Sequence, residues 1–362
     1  MNRYFIIAGG KTGGHLFPGI AVTEEILRLK QNLSPLFIGL KNGIEAKIIP
    51  KLGYELRFVN VSGFYGKSLY QRFISIIKLP ISIIQGIYYI LKYRPLFIIG
   101  LGGFGSFPLL VAAIICFRPF FILEQNISLG IVNKLLGRFA RLFFMPRINH
   151  NLKWGNIKSL GNPIRKEICE LANLALDKRR EKEFKIFIFG GSQGASILND
   201  TMLKTLYLIK NSALKVSIVH QTGKRDFAIV KKAYQKAGIK HFTVLEFIDN
   251  MAYHYLTSSL IICRAGSSVF ELNAAGRVAI LVPISNSSGN HQLNNSKLFV
   301  EKKAAWELLE IDLNFTNLFA KINYAYHNPT TLAEMEKNSK KMFQPGSATN
   351  IATACLKFLR HI

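Results

Sequence analysis

The chain has 362 residues, 49% of them apolar, and a formal net charge of +26. That length allows two domains of ordinary size, and the apolar content excludes a broadly disordered chain. Cys116, Cys169, Cys263 and Cys355 are scattered, with no Cys-x-x-Cys and no histidine at metal-ligand spacing, so a reducing compartment is expected and a structural zinc is not.

Apolar strand-like runs alternate with helical patterns along the whole chain. Met1–Ile7 leads straight into the first run, so no secretory signal is expected. Strands are predicted at 3–8, 35–39, 56–61, 96–100 and 119–123, then at 184–189, 214–219, 242–246, 259–263 and 278–282. Such alternation predicts parallel sheets with helices on both faces. The first series ends near "SLGNPIR" (159–165), and the charged stretch "DKRREKEF" (177–184) precedes the second. Two Rossmann-like α/β domains in series are expected, facing each other across a cleft at the carboxyl ends of their strands. The boundaries are drawn at 1–163 and 164–343, with a last helix in 344–362 returning to the first domain.

Three glycine-rich turns follow predicted strands. The first, "AGGKTGGHLFPG" (8–19), contains the Gly-Lys-Thr of an ATP-binding loop, but that motif needs a glycine five residues earlier, where Phe5 stands. It reads instead as strand, glycine turn and helix, an arrangement that aims backbone N–H groups and a helix N-terminus at one place and suits an anion. The second is "GLGGFGSFP" (100–108). The third, "GGSQGAS" (190–196), most resembles a diphosphate site, with Ser192 adding a hydroxyl. None is a GxGxxG followed by the acid that holds a ribose in dehydrogenases. Other strand ends carry "LEQN" (123–126), "FID" (247–249), "CRAGSSVFEL" (263–272) with Arg264 and Glu271, and "GNHQLNN" (289–295) with His291, Gln292 and Asn295. Amides and carboxylates in such places hydrogen-bond sugar hydroxyls. Phosphate-type turns joined to hydroxyl-reading groups point to a nucleotide-sugar.

Residues 1–165 carry a net +16 and the remainder +10. In the first half "GKSLYQRFISIIKLPISIIQGIYYILKYR" (66–94) alternates bulky apolar residues with Lys67, Arg72, Lys78, Lys92 and Arg94, which fits contact with an anionic lipid surface. An amphipathic helix packed on its own sheet is the other reading. The runs at 79–91 and 107–123 are too short or too interrupted to span a bilayer, and the second reads as a buried helix followed by a strand. No helix-turn-helix, finger or RNP-like string appears, so nucleic acid is not an expected partner.

In order along the chain, "GGKTGGHLFPGIAV", "GLGGFGSFP", "EQN", "GNPIR", "GGSQGAS", "FIDNM", "CRAG…E" and "HQLNN" resemble the MurG family of N-acetylglucosaminyltransferases, from residue 8 to 295. The resemblance implies a GT-B fold. It implies transfer of GlcNAc from UDP-GlcNAc to undecaprenyl-diphosphoryl-MurNAc-pentapeptide (lipid I), giving lipid II for peptidoglycan. It also implies a peripheral place on the cytoplasmic face of the membrane and association with other wall-synthesis proteins. No cofactor is expected, and no metal-ligand constellation such as paired aspartates is visible in the sequence, so no metal is expected either. Carried over, Thr12, Gly13, Gly14 and Asn126 lie near the donor sugar. Arg165 and Ser192 bind the donor, Ser192 at its diphosphate. Ile248 presents its backbone to the uracil, Glu271 holds the ribose and Gln292 reads the GlcNAc hydroxyls. Gly102, Gly103 and Ser106 receive the acceptor diphosphate.

The implied reaction is an in-line displacement of UDP from C1 of the sugar by the MurNAc C4 hydroxyl, with inversion. It needs a base for the attacking hydroxyl, and His15 is the candidate because histidine titrates near neutral pH. An acceptor-binding or turn-capping His15 is the alternative. The N–H groups and helix N-terminus at 191–196 would stabilise the departing UDP. Three departures from the family pattern stand out: Lys11 in place of glycine, Leu123 in place of histidine before "EQN", and a turn before Glu271 that is one residue short. Two other readings are a GT-B transferase acting on a different lipid, and a membrane-associated homologue that is weakly active or keeps a nucleotide-sugar pocket without turnover.

Overall fold

The computed structural model describes residues 3–61, 69–147, 152, 154–174, 183–285 and 288–359. Of the lipid-facing segment expected at 66–94, residues 66–68 lie outside that set, and side chains are described only from Lys78 onward. The chain divides into two compact units, Met1–Arg165 with Gln344–Ile362, and Lys166–Phe343.

The first unit is built from β1 (Arg3–Ala8), α1 (Gly13–Leu29), β2 (Leu33–Gly39), α2 (Glu45–Lys51), β3 (Glu55–Phe58), α3 (Leu69–Tyr93), β4 (Ile98–Gly100), α4 (Phe107–Ile115), β5 (Phe120–Leu123), α5 (Ile131–Leu136), β6 (Leu142–Met145) and β7 (Ile157–Ser159). Its seven strands are parallel in the order β3-β2-β1-β4-β5-β6-β7. Both faces are covered, which is why the strands read as continuous apolar runs. Successive β1 residues serve opposite cores: Phe5 and Ile7 pack with Leu16, Ile20 and Ile26 of α1, while Ile6 and Ala8 pack with Leu109, Leu110 and Ala113 of α4.

The second unit comprises α6 (Lys166–Cys169), β8 (Phe184–Phe189), α7 (Ser196–Lys210), β9 (Val216–Gln221), α8 (Phe227–Ala237), β10 (Phe242–Leu245), α9 (Met251–Thr257), β11 (Leu260–Cys263), α10 (Val269–Ala275), β12 (Ala279–Leu281), α11 (His291–Glu301), β13 (Ala305–Glu307), α12 (Phe315–His327) and α13 (Pro329–Lys341). Its parallel order is β10-β9-β8-β11-β12-β13. Left-handed Gly238 and Gly276 end α8 and α10, the conformation that satisfies a helix's last carbonyls at least steric cost. The chain closes with α14 (Ser347–Phe358), which returns to the first unit. There Ile351, Ala352 and Cys355 join the core beside α1, and Thr349 donates to Glu25.

Three strands, β6, β7 and β13, are additional to the ten predicted. Arg141 and Pro146 bracket a four-residue run at β6, and β7 and β13 are three-residue edge strands carrying Lys158 and Glu307. No described helix is long and apolar enough to cross a membrane.

Candidate functional site

In the first unit, β1 lies between β2 and β4, so the chain leaves β1 in one direction and β4 in the other. This is the topological switch point, where ligands bind in open α/β sheets. The first and second glycine turns both open there. They touch: Gly9 sits at φ 105°, and a Cβ on it would lie 2.8 Å from the Gly102 carbonyl oxygen and 3.2 Å from Ser106 Cβ. Only glycine combines that backbone angle with that approach.

Thr12 is the N-cap of α1, but its side chain does not cap the helix; Thr12 Oγ1 lies 3.0 Å from His15 Nδ1. Gly13 and Gly14 begin the helix between them, and all four residues are half-buried. Lys11 holds φ 56°, a left-handed angle that costs a side-chain-bearing residue about 1–2 kcal/mol. What holds it is Glu45, which sequence reasoning missed. Its carboxylate is 1% exposed and accepts the Lys11 N–H (2.7 Å) and the Leu40 N–H (2.7 Å). Gly39 and Gly43 lie so close that a Cβ on either would strike it. An acid at the start of a helix reads from sequence as a dipole-complementing residue, so nothing local marked this one as buried.

The "EQN" segment ends β5, the strand beside β4. Glu124 and Gln125 point inward, which corrects the expectation that this carboxylate and amide read a sugar. Glu124 is 1% exposed and accepts from the backbone of Gln125, Asn126 and Gly130 and from the side chains of Asn126 and Asn133 (2.8–3.1 Å). Gln125 donates to Leu101 and Leu123 carbonyls, tying the second turn to β5. Asn126 is the half-buried member of the trio, with its backbone N–H and side-chain amide held by Glu124. Ser106 is fully buried and its hydroxyl donates to the Gly103 carbonyl (3.0 Å). Ser106 therefore builds the turn from behind; left-handed Gly102 is buried as well, and of the three expected acceptor residues Gly103 is the one exposed at the surface. Arg165 belongs to this unit, its guanidinium 4.5 Å from the centre of the Phe17 ring on α1.

The second unit repeats the plan. Its switch point falls between β8 and β11, and the third glycine turn, 190–195, joins β8 to the N-terminus of α7. Ala195 is the N-cap and supplies no side-chain cap, and no acid occupies the first turn, so the positive end of a 15-residue helix is left for an anion. Ser192 is half-buried in this turn. The turn interlocks with the loop after β9: Cβ atoms on Gly194 and Gly223 would lie 1.9 Å from Thr222 O and 2.2 Å from Gln193 O.

Ile248 is buried between β10 and α9, in a segment clamped by Gln221 Nε2 on Glu246 O (3.0 Å). Glu271 lies in the first turn of α10, 6% exposed, and accepts from Tyr255 Oη (3.0 Å). Gln292, in the first turn of α11, accepts the Ile284 N–H through Oε1 (3.2 Å). Asn295 of the same helix is fully buried and donates to Ala265 O (3.0 Å), so it holds the loop after β11 and is not a hydroxyl reader. Arg264 pairs with Glu310 (2.7 Å) and donates to Val282 O (3.2 Å), joining the ends of β11 and β12. The structure thus gathers Thr12, Gly13, Gly14, His15, Gly102, Gly103, Ser106 and Asn126 at one sheet edge. Ser192, Ile248, Glu271 and Gln292 lie around the matching edge of the other unit.

Comparison with known proteins agrees with this plan. Residues 5–145 match the glycosyltransferase family 28 N-terminal domain and residues 185–351 the glycosyltransferase family 28 C-terminal domain. A Syntrophus aciditrophicus protein is 37% identical over 99% of this chain and all of its own length. A Citrifermentans bemidjiense protein is 38% identical over 96% of this chain and 98% of its own. Both are described as UDP-N-acetylglucosamine--N-acetylmuramyl-(pentapeptide) pyrophosphoryl-undecaprenol N-acetylglucosamine transferases. Among solved structures, Acinetobacter baumannii MurG superposes with a TM-score of 0.75 at 24% identity, covering 98% of this chain and 99% of that one, and so shares its GT-B fold. The chain belongs to glycosyltransferase family 28 and, within it, to the MurG family of N-acetylglucosamine transferases.

Proposed function

We propose that the chain is an inverting glycosyltransferase that moves GlcNAc from UDP-GlcNAc to the C4 hydroxyl of MurNAc in undecaprenyl-diphosphoryl-MurNAc-pentapeptide, making lipid II for the cell wall. The observation that carries the reading is the end-to-end similarity to transferases of that name, with the quoted motifs falling at the carboxyl edges of both sheets. The second unit takes UDP-GlcNAc. Its glycine turn and α7 receive the diphosphate with Ser192, the segment at Ile248 faces the uracil, and Glu271 and Gln292 hold ribose and sugar hydroxyls. The first unit takes the lipid diphosphate at Gly102 and Gly103, with Ser106 shaping their turn. Thr12, Gly13, Gly14, Asn126 and Arg165 are the donor-binding residues that the first unit carries.

His15 is the base. In that role Nδ1 carries the proton and donates to Thr12 Oγ1, and Nε2 takes the proton of the attacking hydroxyl. As the bond from C1 to the diphosphate breaks, negative charge grows on UDP, and the amides and dipole of α7 meet it.

The first unit also docks on an anionic membrane surface at the cytoplasmic face. Ile81, Ile84, Tyr88 and Leu91 form an exposed apolar stripe on α3, Ile115 at the end of α4 and Phe117 just after it are exposed, and the surrounding sequence is strongly basic. Association with other wall-synthesis proteins there belongs to the same reading.

The test is UDP release from UDP-GlcNAc with and without a short-chain lipid I analogue, on wild type and His15→Ala. Release that depends on the MurNAc lipid supports the assignment. Binding of UDP-GlcNAc with no release overturns it in favour of another acceptor or of a pocket without turnover.

A further inference from the structure

Behind the third glycine turn lies a chain of polar side chains that begins in the core. His220, on β9, is wholly buried, with Nδ1 3.1 Å from Tyr234 Oη and Nε2 3.0 Å from Asn199 Oδ1. An amide oxygen only accepts, so His220 Nε2 carries the proton and Nδ1 accepts from Tyr234. Asn199, on α7 and 1% exposed, turns its amide nitrogen outward. Nδ2 donates to Thr222 O (3.0 Å) and to Asp226 Oδ2 (2.8 Å). The same Asp226 oxygen accepts from Ser196 Oγ (2.5 Å) in the first residue of α7. Every donor in the series thus points the same way, from Tyr234 towards Asp226, and bonds so aligned strengthen one another.

Asp226 is the residue that ends the series, and its own position is unusual. It stands at the N-cap of α8, where an aspartate ordinarily caps its own helix, yet it makes no such bond. Its carboxylate reaches across to α7. The Ser196 hydroxyl bond, with help from Asn199 and Arg225, holds that carboxyl below the usual range, so it stays ionised as an acceptor. Arg225 is mostly exposed and its ion pair with Asp226 Oδ1 (3.0 Å) adds little.

We propose that Asp226 is a positioning residue for the donor diphosphate: by holding Ser196 and Asn199 it fixes the first turn of α7, and with it the interlocked loop 190–195, in the shape that receives the phosphates. This rests on the donor site assigned above. Asp226 acts through geometry and does not touch the ligand. Its charge, close to an anion site, opposes binding, so geometry and charge pull in opposite directions and can be separated.

Calorimetric titration of the full chain with UDP, without acceptor, tests this. Asp226→Ala frees Ser196 and Asn199, and the dissociation constant for UDP rises about tenfold. Asp226→Asn keeps an acceptor oxygen for both and drops the charge, and it restores binding to wild-type strength or better. Ser196→Ala removes the other side of the same bond and weakens UDP binding in the same direction, with the melting temperature of each variant checking its fold. In turnover the Asp226→Ala defect falls on the donor KM and leaves the acceptor KM alone. Asp226→Ala binding UDP as tightly as wild type, or Asp226→Asn failing to rescue, overturns the inference while the proposed function stands. Wild type failing to bind UDP overturns both.

Discussion

Glu45 Oε2 accepts the amide N–H of Lys11 at 2.7 Å while its other oxygen accepts that of Leu40, so one buried carboxylate sets the backbone of the first glycine turn. The turn keeps a left-handed angle at Lys11 even though the residue there has a Cβ. Two substitutions should therefore move stability in opposite directions. Lys11→Gly relieves the left-handed strain and, after the larger entropy loss of glycine, stabilises by about 0.5–1 kcal/mol. Glu45→Gln offers one acceptor oxygen where two are used and turns an NH2 group towards an N–H, which destabilises by about 1–3 kcal/mol. Urea unfolding of both variants checks the signs, and a Glu45→Gln chain as stable as wild type would remove Glu45 from this role.

Thr12 and His15 give a kinetic prediction. A base whose tautomer depends on a hydrogen bond at Nδ1 suffers when that bond is lost. His15→Ala should lower kcat with the lipid I analogue by about 10²–10⁴-fold, and Thr12→Val, which keeps the shape and removes the oxygen, by a smaller factor. The pH–rate profile separates base from acceptor contact. A base variant loses the acidic limb of the profile, whereas a contact variant keeps the limb and raises the acceptor KM.

The sequence made the fold legible where strands are buried on both faces, because there they form unbroken apolar runs, as in "YFIIA" of β1 and "IFIF" of β8. It was silent on β7 and β13, whose three residues at a sheet edge carry no period. The glycine turns were legible because a backbone that must adopt left-handed angles leaves glycines at fixed places. Their supports were not. Glu45, Asn199 and Asp226 each act on a residue brought near by the fold, Glu124 acts on the loop that follows it, and a carboxylate that faces inward has the same letter as one that faces solvent. Within "EQN" and "HQLNN" the motif alone could not tell half-buried Asn126 and Gln292 from buried Glu124 and Asn295.

Buried His220 makes stability depend on pH. Burial lowers its pKa to about 3, against about 6.5 in the unfolded chain. Between those values the unfolded state binds a proton that the folded state excludes. Its contribution is fully present above pH 6.5 and is lost as pH falls towards 3. The limiting slope is about 1.4 kcal/mol per pH unit for one proton. Urea unfolding at pH 7, 6 and 5 should show wild type falling more steeply than His220→Gln, by close to one proton. Equal slopes would mean that His220 takes up a proton in the folded state as readily as in the unfolded chain, and that the bond directions assigned through Asn199 do not hold at pH 5.

Arg277 and Glu336 pose the last question, what a fully buried ion pair is for. Arg277 lies just after α10, with Nη1 2.9 Å from Glu336 on α13, Nε 2.9 Å from Tyr255 O and Nη2 on Leu256 O. One guanidinium thus joins α13 to the carbonyls at the end of α9, the helix that also supplies the Tyr255 hydroxyl to Glu271. Removing Glu336 alone leaves a buried cation short of its counter-charge, so Glu336→Ala should cost about 3–5 kcal/mol. Arg277→Met with Glu336→Leu removes both charges and should cost less than either single change, though the freed Tyr255 and Leu256 carbonyls keep it from being neutral. Because Tyr255 bonds Glu271, the double variant should also weaken UDP binding in proportion to any shift of α9. A double variant that regains stability while UDP binding stays weak would show the pair to be a positioning device for the nucleotide side of the second unit; full recovery of both would show it to be structural alone.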